Sequence, residues 1–309
     1  MKLSTTKELF VWANKHQRAV CAFNVNNMEL IQAVTTAADE LGVPIILQIS
    51  KGARNYAQLP YLMKLIEAAV STIKIPVAVH LDHGDSFELC KEVLDAGFTS
   101  VMIDGSHLPF EDNIALTKKV VDYANKTGAS VEGELGTIGG IEEEKSNEKS
   151  LYTDPTTVKE YVERTGVTSL AISIGTAHGA FKYTTPDPQL RFDILEQINR
   201  EIPHIPLVLH GASSVTPADL DTINAHGGQI KNAIGVSESV LAKSIPLGIR
   251  KINIDSDLRL AFTAALRAHF VANPEHFDPR QYLGAARAHV SELVKHKLLA
   301  FSVLSPQVA

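Results

Sequence analysis

Short apolar runs alternate with amphipathic stretches along almost the whole chain. Eight runs of three to six residues have the length and apolar character of buried strands, at residues 19–23, 44–49, 77–81, 100–103, 130–134, 170–174, 207–209 and 249–254. Stretches between them, such as 61–73, 87–96 and 217–225, place apolar residues three and four positions apart, as helices with one buried face do. This alternation predicts a (β/α)8 barrel, an α/β fold of the TIM type, with extra helices at the C-terminus. A doubly wound open sheet is the alternative, because a pattern alone does not give the order of the strands.

Length and composition are those of one large globular domain. The 309 residues contain no Pro/Gly-rich linker, low-complexity tract or change in charge density, so we predict a single domain over residues 1–309. With 45% apolar and 21% charged residues, the chain is unlike disordered or membrane proteins. A formal net charge of -6 argues against nucleic acid as a partner, but it does not exclude small anionic substrates, which respond to a few local donors.

The N-terminus and the cysteines predict a cytoplasmic protein. Residues 1–10 carry charges and hydroxyls instead of the apolar core of a signal peptide, and no apolar run reaches transmembrane length. We therefore expect neither secretion nor a membrane partner. Cys21 and Cys90 are too few for a disulfide framework, and their apolar neighbours predict buried, unreactive thiols.

Polar residues stand at or just beyond the end of every predicted strand. In a barrel of this type the carboxyl ends of all strands share one rim, where active sites are built. Side chains that are far apart in the sequence would therefore converge there. These residues are Asn24, Ser50, Asp82, His83, Asp104, Glu132, Glu134, His178, His210, Asn253, Asp255 and Ser256.

Three of these residues, His83, His178 and His210, have the chemistry of a catalytic zinc site. Three neutral imidazoles leave a fourth position open, through which a substrate oxygen can reach the metal. Such a metal would activate a carbonyl group. The alternative is three histidines that are each separately hydrogen-bonded in the core.

The carboxylates at the same rim have two interpretations. Asp104, Glu132 and Glu134 can accept hydrogen bonds from the imidazole N–H groups and so fix which nitrogen faces the metal, or they can form an alternate metal site. Alternatively they pair with lysines inside the barrel. His80 lies near the same rim, but its position on the strand favours a core role over metal binding. Lys251 offers competing chemistry, because a lysine can form a Schiff base with a carbonyl substrate.

Two loops at the rim have the composition of a phosphate site. Residues 211–214 (Gly-Ala-Ser-Ser) and 253–256 (Asn-Ile-Asp-Ser) supply backbone N–H groups and hydroxyls beyond the seventh and eighth predicted strands. Barrels of this type frequently bind phosphate at that place. The same composition also occurs in ordinary turns and helix caps.

Six motifs in this order resemble those of the class II, zinc-dependent fructose-bisphosphate aldolases. They are AFNVNN at 22–27, HLDHG at 80–84, VMIDGSH at 101–107, EGELG at 132–136, GTAHG at 175–179 and LHGAS at 209–213. Any one of them is a weak signal, but together they are highly specific. The resemblance extends from about residue 19 to about residue 289 and implies reversible cleavage of fructose 1,6-bisphosphate to dihydroxyacetone phosphate and glyceraldehyde 3-phosphate, a step of glycolysis and gluconeogenesis.

The resemblance also implies roles for the metal site and its neighbours. His83, His178 and His210 would bind zinc, which stabilises the enediolate left by cleavage. Asp82 would exchange a proton with the oxygen formed from the aldehyde, and Glu142 would handle the carbon proton. The stretch GGIEEE at 139–144 departs from the usual family pattern, so Glu143 is a second candidate for the latter role.

Substrate contacts follow from the same resemblance. One phosphate would lie near the two rim loops, and the reacting triose would lie near Asn253 with a sodium or potassium ion close by. The protein would be a homodimer or homotetramer, in which a neighbouring subunit donates Arg280 to the second phosphate. Guanidinium groups suit phosphate because they form paired hydrogen bonds. The full set of predicted substrate-binding residues is Asn24, Ser50, Gly179, Lys182, Gly211, Ser213, Asn253, Asp255, Ser256, Arg259 and Arg280.

Three other functions remain open at this point. A tagatose-bisphosphate aldolase has the same fold and reaction but prefers the other epimer; its relatives tend to have a small apolar residue where this chain has Asp255. A zinc hydrolase needs a metal-bound water but no site for two phosphates. A non-catalytic sugar-phosphate sensor needs neither Asp82 nor a proton-transferring Glu142.

Overall fold

Eight parallel strands close into a barrel in the computed structural model, which describes residues 3–142, 145–147, 151–180, 183 and 188–303. The described residues form eleven strands, of which β6, β7 and β9 lie outside the barrel. They are β1 (Val20–Asn24), β2 (Ile45–Ser50), β3 (Val77–Gly84), β4 (Ser100–Ile103), β5 (Ser130–Leu135), β6 (Gly139–Glu142), β7 (Lys145–Asn147), β8 (Ser169–Ile172), β9 (Ala177–His178), β10 (Leu207–Leu209) and β11 (Ile249–Ile254). The helices are α1 (Thr6–His16), α2 (Met28–Leu41), α3 (Lys51–Ala57), α4 (Leu59–Ser71), α5 (Phe87–Asp95), α6 (Phe110–Ala124), α7 (Val158–Thr165), α8 (Phe192–Glu201), α9 (Pro217–Ala225), α10 (Glu238–Ala242), α11 (Ser256–Ala272) and α12 (Pro279–Phe301).

The barrel order confirms the predicted fold class. Around the barrel the strands follow the order β1, β2, β3, β4, β5, β8, β10 and β11, after which β11 pairs with β1. Each of the eight predicted runs is a barrel strand; three have the predicted bounds and the other five are shifted or extended by one to three residues at an end. The open doubly wound sheet is therefore wrong. Outward side chains such as Val79 and Ile252 are fully buried beneath the surrounding helices.

Both ends of the chain pack near the amino-terminal ends of the barrel strands. Helix α1 begins with a capping box between Thr5 and Glu8, and its Leu9 and Ala13 pack against the inward side chains of Val20, Ile46 and Ala78. It therefore plugs the amino-terminal end of the barrel. At the other end of the chain, the Ala19 N–H donates to the Phe301 carbonyl oxygen (3.1 Å), which fixes the last turn of α12 to the start of β1.

A small second sheet lies beside the carboxyl ends of the barrel strands, which we call the barrel mouth. Strand β6 pairs with β7 in antiparallel and with β9 in parallel orientation, so that Gly140 is opposite His178. Gly140 has a φ of 102°, and a Cβ at this position would lie 2.3 Å from the His178 carbonyl oxygen. Only glycine allows this close approach, and the sheet therefore holds the backbone of His178 in place.

The cysteines have the predicted environment. Cys21 and Cys90 are buried free thiols, and burial raises the pKa of each thiol to about 12. Both groups are therefore protonated and unreactive at neutral pH. Among the helices that the structure describes, none is long and apolar enough to cross a membrane.

Candidate active site

The carboxyl end of β3 places Asp82 and His83 together at the barrel mouth. Strict alternation would point Asp82 into the barrel and His83 out of it. Instead, Leu81 pairs with Val101 and Gly84 with Ile103, so that three steps along β3 match two steps along β4. His83 has a φ of 49°, a left-handed conformation that costs a non-glycine residue on the order of 1 kcal/mol. This bulge turns the imidazole of His83 towards the mouth.

The structure brings the three predicted histidine ligands together. The ring centroid of His83 lies 4.4 Å from that of His210 and 4.8 Å from that of His178. One ring nitrogen from each residue lies within 4.8 Å of the other two. The three come from β3, β9 and the end of β10, which are far apart in the sequence. Imidazole nitrogens at this spacing suit a tetrahedral zinc ion with an open fourth position.

A buried network orients His210. The His210 Nε2–H donates to Glu132 Oε1 (2.8 Å), and Lys251 Nζ donates to Glu132 Oε2 (2.8 Å) and to His80 Nε2 (3.1 Å). His80 in turn donates from Nδ1 to Ser100 Oγ (2.8 Å). Glu132 thus combines both predicted roles, since it pairs with a lysine and orients a histidine, and His80 has the predicted core position. With Nε2 protonated, Nδ1 is the nitrogen of His210 that can bind a metal.

Burial keeps these histidines neutral. It lowers the pKa of His210 well below its ordinary value, and the nearby His83 and Lys251 lower it further. Burial and the neighbouring Lys251 likewise lower the pKa of His80. Neutral imidazole is the form that binds metal ions, so the barrel interior presents His210 in the required state without a proton to displace.

Asp104 and Glu134 stand on the other side of His83. The His83 Nδ1 atom lies 3.5 Å from Asp104 Oδ2 and 4.0 Å from Glu134 Oε2. The three side chains place one potential ligand atom each within 4.8 Å of the others. They stand where they could orient the imidazole of His83 or, with it, hold a metal ion, which are the two roles predicted for them.

Asp82 is fixed by two amide side chains inside the mouth. Asn24 Nδ2 donates to Asp82 Oδ2 (2.7 Å), and Asn253 Nδ2 donates to Asp82 Oδ1 (3.3 Å). Asp82 Oδ1 also lies 3.8 Å from His210 Nδ1, so the carboxylate is next to the histidine cluster. Gln48 donates to Asn24 Oδ1 (2.9 Å) and so orients that amide. Sequence reasoning missed Gln48, although its position on the same face of β2 as Ser50 could have indicated it.

Residues 211–215, which we call the β10 loop, follow His210 in a close turn. Ser213 Oγ accepts a hydrogen bond from the Asp255 N–H (3.3 Å), which joins the β10 loop to the end of β11. Ser256 begins α11, and Asp255 occupies its N-cap position without a capping hydrogen bond from its side chain. The two predicted phosphate loops are therefore adjacent in space.

The remaining predicted residues differ in how closely they approach this centre. Arg259 pairs with Asp255, with Nε 2.7 Å from Oδ1 and Nη2 2.7 Å from Oδ2. Arg280 lies at the start of α12, where its side chain is 90% exposed and pairs with Asp278. Ser50 Oγ caps α3 by accepting from the Ala53 N–H (3.2 Å). The side chain of Glu142 and all of Glu143 and Lys182 lie outside the described residues.

Replacement of Gly211 by Ala should weaken metal binding. Gly211 has a φ of 61°, and a Cβ there would lie 2.4 Å from the Ala177 carbonyl oxygen, in the residue before His178. Relief of this clash has to move the His178 backbone or the β10 loop, so we expect a lower zinc content and about 1–3 kcal/mol of lost stability. Metal analysis and thermal melting measure both.

Gly42→Ala is the matched control. Gly42 has a φ of 66°, but a Cβ there meets no atom within 4 Å. It therefore reproduces the backbone strain without the clash. Equal zinc content in the two variants would show that Gly211 does not position His178.

Known proteins resemble this chain in sequence and fold. Residues 4–303 match the family described as fructose-bisphosphate aldolase class-II. A fructose-bisphosphate aldolase from Giardia intestinalis is 48% identical over 303 residues, which cover 97% of this chain and 93% of the relative. One from Treponema pallidum is 45% identical, covering 96% and 94%. The crystal structure of the YdjI aldolase from Escherichia coli K12 superposes with a TM-score of 0.77 at 29% identity, covering 97% of each chain.

Proposed function

The chain belongs to the class II fructose-bisphosphate aldolase family, and on this premise we propose that it cleaves fructose 1,6-bisphosphate at the barrel mouth. The products are dihydroxyacetone phosphate and glyceraldehyde 3-phosphate, and the reverse reaction condenses them. The observation that carries this proposal is the convergence of the histidine cluster with the buried, doubly hydrogen-bonded Asp82. A Lewis-acid site beside a proton-transferring carboxylate is what an aldol reaction requires.

We propose that His83, His178 and His210 hold a zinc ion. The donor set fits this ion, because three imidazole nitrogens lie within 4.8 Å of one another and His210 is kept neutral by burial. When bound, zinc supplies a Lewis acid that polarises the substrate carbonyl and stabilises negative charge on its oxygen. Glu132 fixes the tautomer of His210, and the bulge at His83 aims its ring at the same point.

Asp82 is proposed as the acid and base at the oxygen end of the breaking bond. In cleavage its carboxylate takes the proton from the C4 hydroxyl as that oxygen becomes the aldehyde carbonyl, and in condensation the proton returns. Asn24 and Asn253 hold the carboxylate through one oxygen each. Each carboxylate oxygen has further lone pairs that can accept the substrate hydroxyl.

Glu142 is proposed as the acid that protonates C3, the carbon that carries the negative charge after the bond breaks. Its support is the position of its backbone, because β6 pairs with β9 at Gly140 and His178 and Glu142 ends the same strand two residues later. A carboxylate at this end serves a different atom from Asp82, so protonation of C3 and deprotonation of the C4 hydroxyl are separate tasks. Glu143 is the alternative residue for this role.

We propose that the ketone-side phosphate binds where the two rim loops meet, with a monovalent cation nearby. The contact between Ser213 and Asp255 supports this assignment because it joins the two loops in one surface. The residues assigned to this phosphate are Gly179, Gly211, Ser213, Asp255 and Ser256, and Asn253, Asn24 and Ser50 are assigned to the reacting sugar.

The second phosphate is proposed to contact Arg259, with Lys182 as a further candidate and Arg280 donated by a neighbouring subunit. Arg280 is 90% exposed, and Phe277 nearby is 91% exposed. A large exposed aromatic side chain three residues from an exposed guanidinium is typical of a surface that another copy covers. We therefore propose a homodimer or homotetramer. We also propose that the protein has a single domain and is cytoplasmic.

Asp255 is expected to select fructose over tagatose bisphosphate. Its carboxylate can accept a hydrogen bond from a sugar hydroxyl that is correctly placed in one epimer only. Asp255→Ala should therefore lower kcat/KM for fructose bisphosphate more than for tagatose bisphosphate. Each tenfold change in the ratio corresponds to about 1.4 kcal/mol of differential transition-state binding. Steady-state kinetics on both epimers measure the ratio.

The ion pair with Arg259 supplies the control for this prediction. Arg259→Met removes the partner of Asp255 but leaves the carboxylate in place. It should weaken the binding of both epimers alike. An unchanged ratio in Asp255→Ala would remove this residue from substrate selection and favour a purely structural role.

A coupled triose-phosphate assay tests the proposed function. Formation of both triose phosphates from fructose 1,6-bisphosphate by the zinc-containing protein supports aldol cleavage. Release of inorganic phosphate without triose phosphates would instead identify a hydrolase. Binding of the sugar bisphosphate without turnover would identify a sensor.

A further inference from the structure

A buried ammonium group lies behind the β10 loop, away from the histidine cluster. Lys297 on α12 has a side chain that is 1% exposed, and its Nζ atom lies 2.8 Å from Asp257 Oδ2 and 2.7 Å from Glu238 Oε1. It also donates to Ser214 Oγ (2.9 Å). An ammonium has three N–H donors, and each one thus has a partner. The C-terminal helix is in this way connected to the loop that follows His210.

Asp257 holds the backbone of the same loop. Its Oδ2 accepts the Ser214 N–H (2.9 Å) and its Oδ1 accepts the Val215 N–H (2.6 Å). Val215 has a φ of 55°, a conformation that is strongly unfavourable for a β-branched residue. Strain of this kind persists only where surrounding contacts enforce it. The carboxylate of Asp257 provides that enforcement.

The charges behind the β10 loop also affect the binding of an anionic ligand. The Asp257 side chain is fully buried and the Glu238 side chain is 25% exposed, so two carboxylates lie directly behind a loop assigned to a phosphate dianion. A buried carboxylate without a counter-charge would repel that ligand. Burial alone lowers the pKa of Lys297, but the ion pairs with Asp257 and Glu238 outweigh it and raise that pKa above its ordinary value. Lys297 is therefore charged and balances one of the two negative charges.

We propose that Lys297 is a positioning residue for the phosphate site: through Asp257 it fixes the β10 loop, and its charge reduces the repulsion between the carboxylates behind the loop and the ketone-side phosphate. This inference rests on the proposed function, since it concerns the phosphate that the loop would bind. Lys297 does not touch the reacting atoms. Its loss should therefore affect binding of phosphate groups and not the chemical step.

Lys297→Met tests the proposal in the zinc-containing enzyme. We expect KM for fructose 1,6-bisphosphate and the calorimetric Kd of dihydroxyacetone phosphate to rise about tenfold or more, because the charge-assisted hydrogen bonds of the ammonium are lost. The turnover number should stay within about threefold and the zinc content should not change. Lys295→Met, on the same helix, removes a surface ion pair with Glu40 and Glu292 and should leave all these values unchanged. An unchanged Kd in a folded Lys297→Met variant would overturn the proposal.

Glu238→Gln gives a second test with the opposite sign. It removes one carboxylate behind the loop and leaves Lys297 paired with Asp257. Dihydroxyacetone phosphate should then bind about twofold more tightly, a small effect because Glu238 is partly exposed to solvent. Equal or weaker binding would contradict the electrostatic role even where Lys297→Met fails to fold. Calorimetric titration with dihydroxyacetone phosphate needs no turnover, so it tests this inference separately from the cleavage assay that tests the proposed function.

Discussion

Removal of the metal should abolish cleavage of fructose 1,6-bisphosphate, and zinc or another divalent ion should restore it. The proposed ligands are three imidazoles whose nitrogens lie within 4.8 Å of one another, and the metal that they would hold stabilises negative charge on the substrate oxygen. Metal ions contribute several kcal/mol to such reactions, so the loss should reach about 10³-fold or more. The measurement is the coupled triose-phosphate assay before and after dialysis against a chelator.

Lys251 provides the competing explanation that this experiment must exclude. A Schiff-base aldolase needs a lysine that can lose its proton and attack a carbonyl. In this structure Lys251 is completely buried and donates to Glu132 and His80. Borohydride trapping of substrate on Lys251, together with full activity in chelator, would therefore overturn the metal mechanism. The variant Lys251→Met tests the same alternative. We expect it to disturb the position of His210 through Glu132, and we expect its remaining activity still to require the metal.

Replacement of Asp82 by Ala should nearly eliminate cleavage while the metal stays bound. The carboxylate is 3.8 Å from His210 Nδ1 and 4.0 Å from His83 Nε2, so it lies beside the cluster. Loss of a general acid or base lowers turnover by roughly 100-fold or more. Zinc content should remain close to that of the wild type, because the three histidine ligands are retained. Single-turnover kinetics and metal analysis on the same preparation measure both quantities.

Asp85→Asn is a suitable comparison for Asp82→Ala. Asp85 lies three residues further along the chain and forms a surface ion pair with Lys51 (2.7 Å). Its replacement removes a charge near the mouth without touching the amides that hold Asp82. We expect nearly wild-type turnover from this variant. If Asp82→Ala lost its zinc, Asp82 would be a ligand or a structural partner, and the proton-transfer role would be wrong.

The barrel and the general position of the site followed from the sequence because they depend on local patterns. Apolar runs of three to six residues have room for a buried strand and not for a helix, and their eightfold repetition predicted the barrel. Only the closed order of the strands excluded the doubly wound sheet. Parallel strands bring their carboxyl ends to one rim, so the positions of His83, His178 and His210 predicted a cluster before any distance was known. Strand bounds were less exact, as in β3, which extends to Gly84 instead of residue 81.

The resemblance of the motifs to a known family gave the residue roles, which periodicity alone does not determine. Alternation by itself predicts that His83 faces away from the barrel, because it follows the inward Asp82. The bulge against β4 reverses this orientation. A bulge depends on which residues of two strands pair, and this pairing is a long-range property that the sequence of one strand does not contain.

Only the tertiary structure revealed the groups that hold the site from behind. Gln48 orients Asn24 across two strands, and Lys297 reaches Asp257 and Ser214 from the last helix. Strand alternation puts Gln48 on the same face of β2 as Ser50, but it does not give the partner of Gln48. Lys297 stands neither at a strand end nor in a motif, so local pattern gives no signal for it. They matter because a buried polar group needs a partner, and the partner is supplied by whichever element the fold brings near. The sequence by itself determined the alternating pattern of the barrel and the kinds of side chain at its rim, whereas chain packing decided which side chains orient them, since those contacts join residues up to 171 positions apart.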